Sequence, residues 1–226
     1  MPVGAVIGEL LPSAIGVAIS PIPIIAVILM LLSRRARANS VGFLIGWLFG
    51  IIAATAIIWA ISGAADLASS TGPTTAASWI SLVVGILLLL LGIGQWRKRP
   101  KAGEVAALPK WMASIEDFTA IKAAGLAVVL SAANPKNLLM FVAAGTALGE
   151  SGVSTGSGIV ALIIFTVLAA SSVLVPVLGY LFASEKVKPW LDELREWLQQ
   201  NNAAVMSVLF LVLGVTQLGK GLSGLL

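Results

Sequence analysis

Long apolar segments constrain the fold of this chain more than any other feature. Hydropathy places six of them near residues 3–32, 40–63, 76–96, 121–148, 157–183 and 202–223. Each can cross a bilayer as a helix, which takes roughly 20 apolar residues. Only 11% of the 226 residues are charged, whereas a soluble domain carries about a quarter. The sequence therefore predicts an all-α integral membrane protein with six transmembrane helices.

Basic residues indicate how these helices are oriented. They cluster in the first, third and fifth loops: Arg34, Arg35 and Arg37; Arg97, Lys98, Arg99, Lys101, Lys110 and Lys122; Lys186, Lys188 and Arg195. Because basic loops stay on the cytoplasmic side, both termini are expected to be extracytoplasmic. The first segment contains Glu9 and lacks a positive stretch before it, so we interpret it as a span and not as a signal peptide. The basic cytoplasmic loops also account for the net charge of +4, so we expect no nucleic-acid partner.

Two halves of the chain resemble each other. Ser20-Pro21-Ile22-Pro23 aligns with Asn134-Pro135-Lys136-Asn137, and later matches follow in the same order. With three spans in each half, the repeats must have opposite orientations. We therefore predict that residues 1–226 form one membrane domain. Its parts are a first three-helix repeat at 1–96, a basic cytoplasmic linker at 97–120 and a second three-helix repeat at 121–226.

The second half contains an additional amphipathic segment near residues 186–199. Its apolar side chains recur at helical spacing, with charged residues on the other side. This pattern predicts an interfacial helix that anchors the bundle. A gating or partner-binding role is the alternative.

Prolines interrupt the first and fourth spans near their middles. Pro21 and Pro23 lie in the first span, and Pro135 lies in the fourth. Proline has no N–H and clashes with the carbonyl four residues earlier, so each site is expected to break the helix and free backbone carbonyls. A matched pair of broken helices in an inverted repeat is typical of transporters, with the substrate site where the breaks meet.

Lys136 is the ionisable residue that lies deepest within a predicted span. A lysine there costs about 3 kcal/mol or more unless it is compensated. We interpret it as a cationic site for a carboxylate, sulfate or phosphate, or as a group that exchanges a proton. The alternative is a lysine that extends outward and pairs with a carbonyl or with Glu150. Asn134, Asn137 and Ser20 either line the same substrate site or satisfy carbonyls freed by the prolines.

Several function classes are disfavoured by composition. The chain contains no Cys and no His, which removes thiol chemistry, His-based catalysis and most zinc sites. It also lacks a phosphate-binding loop motif. We therefore expect no enzyme activity, no catalytic residues, no cofactor and no metal site.

The two proline motifs are similar to those of a known group. A Ser-Pro-Ile-Pro break within SPIPIIAVILMLLS, a basic central loop and SAANPKN resemble the lysine exporter (LysE) superfamily, and within it the GAP family of glycolipid or sulfolipid addressing proteins. The resemblance covers essentially the whole chain. It implies a multi-pass exporter in the bacterial plasma membrane that delivers envelope glycolipids, with Ser20, Pro21, Pro23 and the Asn134–Asn137 motif as functional positions.

Three functions remain open on this basis. The first is export or addressing of an envelope glycolipid or a related amphipathic substrate. The second is export of a small amino acid or ion, although Ile22 stands where amino-acid exporters often have Gly between the prolines. The third is a non-transporting accessory role beside envelope-lipid assembly proteins. Membrane lipids are expected partners in each case, and the faces of small residues allow a homodimer.

Overall fold

The computed structural model describes residues 2–68, 75–100, 110–223 and 225, and these residues form helices and turns without strands. The helices are α1 (Val3–Ala18), α2 (Pro21–Leu31), α3 (Ala36–Ala68), α4 (Thr75–Arg97), α5 (Ala120–Ala132), α6 (Pro135–Glu150) and α7 (Thr155–Ser223), with a short 3-10 helix at Lys110–Asp117. The predicted helical class is confirmed.

Two described helices, α3 and α7, are long and apolar enough to cross a membrane. The pairs α1–α2 and α5–α6 are each bent at a short break, by 57° and 69°, and would make four spans if each pair counts as one. Both predicted proline breaks are therefore present. The number of six spans stays a prediction.

The predicted fifth and sixth spans both lie in α7, which the non-helical backbone of Ala183 divides into two helical segments. Residues 186–199 continue from this kink into the following segment without another break. Within them Leu191 and Leu198 are buried, whereas Trp190 and Trp197 are about half exposed. The interfacial placement of this segment stays a prediction. The charged residues do not interrupt the helix, since Glu, Lys and Arg are good helix formers.

The outer surface of α3 has the character expected of a lipid-facing helix. Ile45, Phe49 and Ile57 are each about 60% exposed, and Phe43, Trp47 and Ile51 are fully buried. Large apolar side chains thus point both inward and outward, which water would penalise and lipid does not. We identify the chain as a helical membrane protein on this pattern together with the apolar spans.

The chain forms two compact units. The first comprises residues 1–68 and 108–195, in which α3 packs on α5 and α6 and α1 packs on α6. The second comprises residues 69–107 and 196–226. These units reflect packing, whereas the halves 1–96 and 121–226 were defined by sequence similarity and stay a prediction. Within the linker at 97–120, residues 101–109 lie outside the described part of the chain.

In the first unit, glycines allow α3 to approach α5 closely. A Cβ on Gly42 would overlap the carbonyl oxygen of Ala120, and one on Gly46 would overlap that of Ala124. Because both contacts advance together along the chain, the two helices run in the same direction. Gly42 and Gly46 therefore form a face on which α3 packs closely against α5, as small residues often do between membrane helices.

Gly46→Ala is expected to destabilise the protein by about 1–3 kcal/mol, since the added methyl group must displace backbone. Thermal unfolding in detergent measures this effect. Gly63→Ala on the same helix is the control, because a Cβ there has no neighbour within 4 Å. Equal stability of the two variants would contradict the close approach of α3 and α5.

In the second unit, α4 and residues 196–223 of α7 pack as an antiparallel pair. Gly85 faces Leu218, and Gly92 faces Leu211, so the positions advance in opposite directions. The hydroxyl of Ser207, fully buried, donates a hydrogen bond of 2.7 Å to the carbonyl oxygen of Gly92. Glycine contacts and this bond together hold the pair.

Candidate substrate site at two broken helices

The first break separates α1 from α2 at Ile19 and Ser20. Ser20 is extended and precedes Pro21, which is the first residue of α2. Pro21 suits that position because the first N–H of a helix has no intrahelical partner. Pro21 and Pro23 also cannot donate to the carbonyls four residues earlier, which belong to Val17 and Ile19. The sequence thus leaves these two carbonyls in need of other donors.

Each carbonyl at the end of α1 does find a donor. The N–H of Ile19 bonds to Ile15, and the N–H of Ser20 bonds to Ala18. The hydroxyl of Ser20 donates to the carbonyl oxygen of Val17 at 2.7 Å. The remaining two, Gly16 and Ile19, accept from a side chain on α6. The break in the first half of the chain is therefore completed by the second half.

The second break separates α5 from α6 at Ala133 and Asn134. The side chain of Asn134 accepts a 3.0 Å hydrogen bond from the backbone N–H of Lys136, which caps the start of α6. The side-chain amide of Asn137 donates to the carbonyl oxygen of Leu130 in α5 at 3.4 Å. Asparagines on both sides of Pro135 therefore stabilise this break.

Lys136 joins the two breaks. Its ammonium donates hydrogen bonds to the carbonyl oxygens of Gly16 and Ile19, at 2.5 and 3.0 Å, and to the hydroxyl of Ser20 at 2.6 Å. All three ammonium protons thus have an acceptor. The lysine is 1% exposed, so it does not extend outward, and it bonds to carbonyls of α1 and not to Glu150, which is exposed at the far end of α6.

The partial charges of the two helix ends act on Lys136 in opposite senses. The carbonyl end of α1 carries a partial negative charge, which stabilises the ammonium. Lys136 itself lies in the first turn of α6, where the backbone N–H groups carry a partial positive charge. The two ion pairs recorded in the described part of the chain, Lys188–Glu185 and Arg195–Asp192, do not involve it. The ammonium therefore has three neutral oxygen acceptors and no carboxylate among its hydrogen-bond partners.

Three of the predicted site residues meet in one cluster. Lys136 contacts Ser20, and the hydroxyl of Ser20 lies 3.3 Å from Oδ1 of Asn137. All three are at most 1% exposed. Asn134 is half-buried and caps α6, so it positions Lys136 through the backbone.

The predicted helix-breaking prolines differ in burial. Pro21 and Pro23 are buried, and Pro135 is exposed. The three residues nevertheless have one effect in common, because each lies in the first turn after its break and lacks an N–H.

The sequence did not identify Gly16 and Ile19 as partners of Lys136. Pro23 gave a partial signal for Ile19, since a proline deprives the carbonyl four residues earlier of its donor. Gly16 gave none, because it contributes only a backbone oxygen. On α3, Asn39, Trp47 and Thr55 each have a buried side-chain atom without a hydrogen-bond partner among the described residues, and no sequence pattern marked them as a group.

Ser20→Ala is expected to lower the stability of the protein by about 1–3 kcal/mol, because the carbonyl of Val17 loses its donor and Lys136 loses an acceptor. Thermal unfolding measures the loss. Thr216→Val is a suitable control, since its hydroxyl bonds only to Val212 within an exposed turn. If both variants melt alike, the cluster at the break does not contribute to stability.

Comparison with known proteins assigns the chain to a family. No curated protein and no solved structure matches it, whereas residues 10–223 match the family described as Sap, sulfolipid-1-addressing protein. That range includes both helix breaks and all residues of the cluster. The chain therefore belongs to the sulfolipid-1-addressing protein (Sap) family.

Proposed function

We propose that this protein delivers an anionic envelope glycolipid, such as a sulfolipid or a related amphipathic lipid, across the bacterial plasma membrane. The observation that carries the proposal is the fully buried Lys136, which bonds across two broken helices and has no acidic partner among the bonds of its ammonium. Membership in a family named for addressing a sulfolipid supports the substrate class.

The chemistry of the cluster suits a sulfate or another anionic head group. A buried ammonium held only by neutral oxygens gains from an anion, because two opposite charges attract each other more strongly in a low-dielectric interior than in water. The N-terminal turn of α6 adds backbone N–H groups that also favour anions. Ser20 and Asn137 would orient the head group, and Asn134 would hold Lys136 in place.

The placement of the breaks supports transport. Alternating access requires elements that rearrange around a fixed site. The cluster connects one break in the first predicted repeat with one break in the second, so it lies where such a rearrangement would occur. The antiparallel packing of α4 with the end of α7 is what an inverted repeat requires of its third and sixth spans. We therefore include six spans, an inverted three-plus-three repeat, extracytoplasmic termini and kinship with the LysE superfamily in the proposal.

Deletion of the gene tests this function. Surface lipids and solutes in spent medium would be compared, without preselection, among wild-type cells, deletion cells and deletion cells carrying the gene. We expect an anionic glycolipid to be missing from the surface of deletion cells, to accumulate inside them and to return with the gene.

Other outcomes point to the alternatives. An unchanged lipid surface with one solute missing from the medium would indicate a small-molecule exporter. Reconstituted vesicles separate transport from an accessory role, because a transporter moves a labelled sulfolipid between leaflets without other proteins. Failure of purified protein to do so, with surface lipid still lost in cells, would indicate an accessory protein.

A further inference from the structure

Three oxygen atoms at the end of α1 surround the ammonium of Lys136. They are the carbonyl oxygens of Gly16 and Ile19 and the hydroxyl oxygen of Ser20, at 2.5, 3.0 and 2.6 Å from Nζ. We call these three atoms the oxygen cage. Gly16, Ser20 and Lys136 are buried, whereas Ile19 is 40% exposed.

The composition of the cage is that of a cation site. All three groups offer a neutral oxygen atom as a ligand. Two of them are carbonyls at the C-terminal end of a half-helix, where the helix dipole is negative. Such carbonyls at broken membrane helices can coordinate Na⁺. Removing the ammonium would leave the two carbonyls without a donor, which is costly where water does not compensate.

We infer that the oxygen cage is a binding site for a monovalent alkali cation, and that Lys136 occupies it in the present conformation. When Lys136 turns to an anionic head group, a cation such as Na⁺ takes its place in the cage. Cation and lipid are then coupled, because each stabilises the same displaced position of the lysine. The coupling rests on the proposed function, whereas the cation site itself does not.

Lys136→Met tests the site directly. Methionine keeps the side chain to a similar length but ends before the position of the ammonium, so the cage is left open. Thermal unfolding of the purified variant would be compared in NaCl and in N-methyl-D-glucamine chloride of equal concentration. We expect Na⁺ to raise the Tm of the variant by about 5 °C or more at saturation, and to leave the wild-type Tm unchanged.

Two further variants make the result specific. Lys122→Met removes an exposed lysine at the start of α5 and should show no response to Na⁺. Adding Ser20→Ala to Lys136→Met removes one cage oxygen and should reduce the shift at least by half.

A different outcome would overturn the inference. No shift in Na⁺, K⁺ or Li⁺ would mean that the open cage binds no alkali cation. Unfolding of Lys136→Met in every salt would also count against the site, because a cation bound in the cage would replace the missing charge. Folding in Na⁺ alone supports the site. Since these experiments contain no glycolipid, their failure would leave the proposed lipid delivery untouched.

Discussion

Cells whose only copy of the gene carries Lys136→Met are expected to display at least about tenfold less of the anionic glycolipid than cells with the wild-type gene. The reason is the loss of a buried charged donor, since hydrogen bonds to charged groups contribute about 1.5–3 kcal/mol and 1.4 kcal/mol corresponds to a factor of ten. Quantification of extracted surface lipid measures the effect.

The matched control is Lys122→Met. Lys122 lies in the first turn of α5, is exposed, and belongs to the same predicted span as Lys136. It should deliver lipid normally, so a loss confined to Lys136→Met would reflect the buried cluster and not the overall charge. Protein amounts in the membrane must be equal in both strains. Wild-type lipid display by Lys136→Met would refute the cationic site, although delivery by another part of the protein would still be open.

The two helix breaks could be predicted from the sequence because their cause is local. Pro21 and Pro135 lack the N–H of a continuing helix, and this is a property of the residue and not of its surroundings. The hydrogen-bond partners of Lys136, in contrast, depend on tertiary packing. Gly16 accepts through its backbone, and since every residue has a carbonyl, only the packing of α1 on α6 selects this one.

The kink in α7 is a second feature that could not be predicted from the sequence. The amphipathic pattern at residues 186–199 predicts an interfacial helix, which stays a prediction, and by itself it would let the helix continue unbroken from the fifth span. The backbone instead departs from helical geometry at Ala183. Neither Pro176 nor Pro189 lies at that residue, and nothing in the local sequence accounts for the kink.

Restoring the missing backbone donors at the first break is expected to abolish lipid delivery without unfolding the protein. In the double variant Pro21→Ala/Pro23→Ala, two N–H groups return that can bond to the carbonyls of Val17 and Ile19. The new N–H then competes with Lys136 for the carbonyl oxygen of Ile19. We expect at least about a tenfold loss of surface glycolipid, with a Tm equal to or above that of the wild type.

The expected loss of lipid delivery with a maintained or raised Tm distinguishes this variant from one that is misfolded. A variant that merely damages the fold loses stability and delivery together, whereas a straightened α1–α2 gains helical hydrogen bonds and loses only the break. Pro12→Ala is the control, because Pro12 lies inside α1 where the helix continues, and it should leave delivery unchanged. If the double variant delivers lipid as well as the wild type, the break and the carbonyls that it frees are not part of the transport mechanism.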